Sequence, residues 1–276
     1  MRKKLILIAA PIVFISSTLV WYSNDLDSNK EETVVETAQD AQRLIQVTGN
    51  KISDAPNFSA IENVQEKKTA FFEYLKPGVA RENERIVKER GRLEQIKSRF
   101  SINELTSEDH AYAERLSGLY HIELSSEGIN ERWIESMLRR VDVLPEALVL
   151  TQAAKESGWG TSRFATEANN YFGQWCYSAG CGVVPQHRKE GMTHEVAKFR
   201  SVQESIHRYF MNVNRNRAYQ ELREIRYDLH INNQDLLNSE AAIELANGLI
   251  RYSERGQPYV DEIQGMIRFN QPFWSK

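Results

Sequence analysis

Glu156 lies in the run Ala153-Ala154-Lys155-Glu156-Ser157-Gly158-Trp159-Gly160-Thr161-Ser162, and its place there bears on acid chemistry. The residues from Pro145 to Lys155 read as a helix. Pro145 suits the first turn, and Leu148, Thr151, Gln152 and Lys155 share a face that Leu150 and Ala154 do not. Gly158 and Gly160 end the repeat, so Glu156 belongs to the last turn, at the negative end of the helix dipole. An acidic side chain there is disfavoured by about 0.3–1 kcal/mol. That position raises its pKa, and Trp159 beside it adds desolvation. A carboxyl group kept protonated near neutral pH is what general-acid cleavage of a glycosidic bond uses. A glutamate near a helix end is also commonly just solvated, and the local argument leaves both readings open.

The other reactive groups are Cys176 and Cys181, separated by Tyr177-Ser178-Ala179-Gly180. This turn-forming spacer can bring the thiols together, and in an oxidising compartment a local disulfide is the expected outcome. A metal site is the competing reading, with His187 and His194 as further ligands. Two thiols without a paired histidine spacing favour the bridge. Such a bridge closes a short loop and pins a hairpin rather than the whole domain.

The compartment is read from the start of the chain. Met1-Arg2-Lys3-Lys4 is followed by an uncharged run from Leu5 to Asn24, which reads as an export signal. The run is near the minimum length for a span and no small-x-small cleavage site follows it. Residues 1–24 are therefore expected to be an uncleaved anchor, with release after signal cleavage as the alternative. The rest of the chain then lies outside the cytoplasm, tied to the inner membrane.

The elements that must position Glu156 are mainly helical. Residues 25–60 are polar and acid-rich and read as a tether. Residues 61–128 form a helical preface, in which Pro77-Gly78 is expected to break one helix into two. Its second helix is sparsely apolar and packs a narrow stripe on the body. Residues 129–276 form the main domain. Between Gly173 and Phe199 the composition shifts to Gly, Cys, Val, Pro and Thr, and Val183-Val184 with Glu195 to Phe199 predict a small β-hairpin. Ser201 with Glu204 has capping-box spacing, and helical patterning then runs to the end.

The net charge is −3, with 35 Lys and Arg mixed among 38 Asp and Glu, which argues against nucleic acid as a partner. No phosphate-cradling glycine loop and no convincing metal spacing occur, so no cofactor is expected.

Glu156-Ser157-Gly158-Trp159-Gly160-Thr161-Ser162, with Asn169-Asn170-Tyr171-Phe172-Gly173 downstream, resembles the glucosaminidase family of glycoside hydrolases (family 73). The layout is most similar to the Bax branch of that family, found in Gram-negative bacteria. The resemblance covers roughly Trp133 to Phe269. It implies a lysozyme-like α+β fold with two helical lobes around a cleft and a β-hairpin at its edge. It implies peptidoglycan as substrate, cut between N-acetylglucosamine and N-acetylmuramic acid, with Glu156 as general acid. Ser157, Trp159, Asn170 and Tyr171 fall on motif positions that line the cleft, although Tyr171 and Phe172 also read as core and Asn170 as a turn cap. Tyr252 and Tyr259 resemble a tyrosine segment on the opposite cleft wall, where one would bind substrate or orient water.

The chain departs from the family at the second acid. Many family members carry a second carboxylate in the hairpin, typically after a Thr, and the stretch from Val183 to Gly191 lacks that pattern. Glu195 is the first candidate for the role and Glu190 the second. Without a partner acid, the 2-acetamido group of the sugar can assist instead. A lytic transglycosylase and a non-catalytic peptidoglycan-binding scaffold stand as the rival functions.

Overall fold

The computed structural model describes residues 54–186, 188 and 191–274. The expected anchor, the tether up to residue 53, His187 and Glu190 lie outside the described residues. Among those described, no helix is long and apolar enough to cross a membrane. The fold is α+β and mainly helical, with a small antiparallel sheet, in keeping with a lysozyme-like glucosaminidase domain preceded by a helical region.

The first helix, α1 (Val64–Ser101), starts where the Asn63 side chain accepts the N–H groups of Gln65 and Glu66. Its buried residues recur at helical spacing, from Phe71, Phe72, Leu75 and Val79 to Ile86, Leu93 and Ile96. The predicted break at Pro77-Gly78 does not occur: Pro77 lies inside one continuous helix. A proline in a helix interior costs about 3 kcal/mol because it lacks an N–H and crowds the preceding turn. Burying a large apolar side chain contributes about 1.5–3 kcal/mol, and such residues flank Pro77 on both sides. Only a continuous rod carries both groups onto the same body, so packing overrides local preference.

That body holds α2 (Ser107–Tyr120), α3 (Glu131–Arg140), α4 (Glu146–Ser157) and α5 (Arg163–Ala168), followed after the sheet by α6 (Val202–Arg215), α7 (Gln220–Ile231), α8 (Ser239–Ala246) and α9 (Gln257–Phe269). One buried cluster runs from Phe71 on α1 to Ile267 on α9. At its centre is α4, where every residue from Ala147 to Ala154 is buried, both faces included, because α1, α8 and α9 surround it. The connection after α3, residues 141–144, is buried as well, and Arg226 on α7 donates to the carbonyls of Arg139, Arg140, Asp142 and Val143. These donors satisfy acceptors that a helix end leaves unpaired.

A polar seam joins α1 to α6. Glu82 accepts from Arg85 Nε at 2.9 Å and Gln203 Nε2 at 3.1 Å, and its Oε2 lies 3.0 Å from His207 Nδ1. All three partners come from the stripe buried between the two helices.

The expected hairpin is a three-stranded sheet. β1 (Trp175–Cys176) and β2 (Gly182–Val183) both pair antiparallel with β3 (Glu195–Ala197), in the order β1-β3-β2. Cys176 and Cys181 form the disulfide, so both sulfurs are withdrawn from any metal. Gly182 is required by close approach: a Cβ there would stand 1.9 Å from the carbonyl oxygen of Val196.

Candidate active site

Glu156 sits in the last turn of α4, which Gly158 ends in the left-handed conformation at φ 57°. Its Oε1 accepts the phenolic hydrogen of Tyr259 on α9 at 3.0 Å. Tyr259 accepts in turn from Gln152 Nε2 at 3.1 Å, and Tyr209 on α6 donates to Gln152 Oε1. An amide oxygen only accepts and an amide nitrogen only donates. The chain Tyr209, Gln152, Tyr259, Glu156 therefore has one direction, and it delivers a donor to Oε1. Oε2 is the carboxyl oxygen that this chain does not reach.

Oε2 faces Gly173, where a Cβ would come within 3.7 Å of it and where φ is 64°. That conformation favours glycine, and a Cβ there would stand in van der Waals contact with the carboxyl. The loop is fixed by Asn170, whose amide nitrogen donates to the carbonyls of Gln174 and Ala197, each at 2.9 Å.

Burial pushes Glu156 up from its ordinary 4.5 to about 7; Glu262 adds to the rise, and the Tyr259 hydrogen bond and the charge of Lys155 partly oppose it. Lys155 pairs with Glu262 at 2.6 Å, which keeps that neighbour ionised. The hydroxyls of Tyr209, Tyr252 and Tyr259 are raised well above their ordinary value, chiefly by burial, so the group around the acid is neutral.

A cavity of about 600 Å³ adjoins this group, lined among others by Phe172, Gly173, Trp175, Tyr209, Tyr219 and Tyr252. Glu156 is not itself in the lining and meets the cavity through Gly173. Tyr252 stacks on Tyr259 with ring centroids 5.1 Å apart, and its hydroxyl donates to the Phe172 carbonyl at 3.2 Å.

The other sequence candidates separate into two sets. Tyr252 and Tyr259 join Glu156, as described. Ser157, Asn170 and Tyr171 are almost fully buried and build the frame: Ser157 Oγ accepts the Gly160 N–H at 2.9 Å, and Tyr171 packs against Phe71 and Tyr74. Trp159 packs edge-on against Phe71 and Phe72 with Lys68 over its ring, so it supports α1. Phe172 is core, stacked on Tyr209 at 4.1 Å.

Glu195 is buried in β3, and its carboxylate accepts the N–H groups of Gly180 at 3.0 Å and Gly182 at 2.8 Å. Those bonds hold it below the usual carboxylate range. It grips the disulfide loop, with both oxygens engaged. Glu204, which does line the cavity, accepts from Arg200 through its backbone and guanidinium. Sequence reasoning missed Gln152 and Tyr209. Gln152 lies one turn before Glu156 on the same face, a signal that was present; Tyr209 reads as one more apolar residue.

A buried acid raised toward neutrality thus lies beside a cavity walled by tyrosines on a lysozyme-like frame, the kind of site a glycosidase carries. The model of the Glucosaminidase family, described as mannosyl-glycoprotein endo-beta-N-acetylglucosaminidase, matches residues 132–271, half of the chain, and the chain belongs to that family. It is similar to Protein bax of Escherichia coli (strain K12), with 29% identity over 221 residues, covering 80% of this chain and 76% of that protein. No solved structure matches it.

Proposed function

We propose that the protein is a peptidoglycan hydrolase, an endo-β-N-acetylglucosaminidase that cuts the bond between N-acetylglucosamine and N-acetylmuramic acid with Glu156 as general acid. The observation that carries this reading is the Glu156 carboxyl, raised to about 7 and held by Tyr259 with Oε2 turned toward Gly173. The Oε2 proton passes to the departing glycosidic oxygen as the bond to the anomeric carbon breaks. Tyr259 remains on Oε1 and stabilises the carboxylate that forms.

The positive charge at the anomeric carbon needs a partner. Glu195, Glu204 and Glu262 are each committed to other donors, which supports assistance by the 2-acetamido oxygen of the substrate itself. That oxygen bonds to the anomeric carbon, and water then displaces it while Glu156 takes the water's proton. The charged start of the chain and the apolar run after it support an exported, membrane-tethered enzyme, where murein is the reachable polymer.

Mass spectrometry of digested sacculi tests the reading. Reducing N-acetylglucosamine ends are expected, and they should vanish with Glu156→Gln. Anhydromuramic ends would identify a lytic transglycosylase instead, and sacculus binding without any cleavage would identify a scaffold.

A further inference from the structure

The geometry points to a sugar-stacking wall on the sheet: Trp175 and Tyr177 hold the apolar face of a pyranose ring across the cavity from Tyr219 and Tyr252. This assignment rests on the glycosidase reading above. Trp175 lies in β1 and Tyr177 directly follows that strand, beside the Cys176–Cys181 bridge, which also borders the cavity. Both rings line the same cavity as Tyr219 and Tyr252. Tyr177 is 67% exposed and lies outside the buried core.

The Trp175 indole is backed on one face by the His194 ring, at 4.1 Å between centroids and 10° between planes. Its strand is paired residue for residue with β3, closed by the Cys176–Cys181 bridge, and held through Glu195 on Gly180 and Gly182. A ring fixed beforehand loses little freedom when a ligand stacks on it. The bridge and the Glu195 grip thus acquire a purpose beyond the stability of a short loop. Gln174, Asn212 and Asn216 also line the cavity, and amides beside aromatic rings suit a ligand that is apolar on its faces and rich in hydroxyl and acetamido groups at its edges.

Calorimetry with peptide-free glycan strands, in a Glu156→Gln background that prevents turnover, tests the wall. Trp175→Ala should weaken Kd roughly tenfold, which is about 1.4 kcal/mol. Trp175→Phe, which keeps a ring, should recover most of the loss, and Tyr177→Ala should weaken binding several-fold. Reduction with dithiothreitol should act in the same direction. Unchanged affinity in folded Trp175→Ala overturns the proposal, as does the absence of strand binding by the parent. If Trp175→Ala does not fold, the exposed Tyr177→Ala decides alone, and unchanged affinity there overturns it equally. Binding that depends on Trp175 in a protein that cleaves no sacculi would retire the glycosidase reading and keep the wall. Cleavage with the same KM in Trp175→Ala would do the reverse.

Discussion

Tyr259 donates its phenolic hydrogen to Oε1 of Glu156 at 3.0 Å, joining α9 to the end of α4 across 103 positions of sequence. That contact opposes the burial that raises the acid, so the two together set where Glu156 titrates. Replacing Tyr259 by Phe should therefore raise the Glu156 pKa and move the alkaline limb of the pH–rate profile to higher pH. The donor to the nascent carboxylate is lost at the same time, and kcat should fall by about a hundredfold. A profile whose limb stays in place, with kcat retained, would remove Tyr259 from the mechanism.

The same acid predicts a stability effect of known sign. Its pKa rises from 4.5 to about 7 on folding, so below pH 4.5 it is protonated in both states. As pH rises through that window the unfolded chain releases the proton first, and the folded state loses stability. Glu156→Gln should be close to neutral in thermal melts at pH 4. At pH 8 it should be more stable than the parent by on the order of 2 kcal/mol, allowing for solvent reaching part of the side chain. Equal melting shifts at both pH values would contradict this.

Glu82 behaves in the opposite way. Burial alone would raise its pKa, but the hydrogen bond and charge of His207 and the charge of Arg85 outweigh it and bring it from 4.5 to about 2. Its contribution is complete above pH 4.5 and is lost as pH falls through about 2. Glu82→Ala strands the groups that it pairs and should cost about 3 kcal/mol at pH 7. The gap between variant and parent should shrink toward pH 2 in denaturant titrations, and a gap independent of pH would count against the seam.

Glu195 and Glu156 should separate cleanly by kinetics. Glu195→Gln loses part of the grip on Gly180 and Gly182, so its effect should fall on the loop, seen as faster reduction of the Cys176–Cys181 bridge. Its kcat should stay at least a hundredfold above that of Glu156→Gln, since loss of a general acid costs about 10²–10⁴ in rate. Equal inactivation of the two variants would make Glu195 the second catalytic group after all.

By itself the sequence determined the local features of this protein. Glycines after Lys155 end α4 and leave Glu156 in its last turn, the Cys176 to Cys181 spacing closes a bridge, and helical periodicity marks α1 and α6, because each depends on neighbours within a turn or two. The tertiary structure decided what those features do. It kept Pro77 inside one helix, since the apolar residues on both sides pack on one body, and it turned Tyr209, Gln152 and Tyr259 into a directed chain ending on the acid. It also assigned Glu195 to the amides of its own loop and buried Asn170 and Tyr171 in the frame. Burial and long-range hydrogen bonding set these outcomes, and both are properties of chain segments brought together by packing rather than of any spacing along the chain.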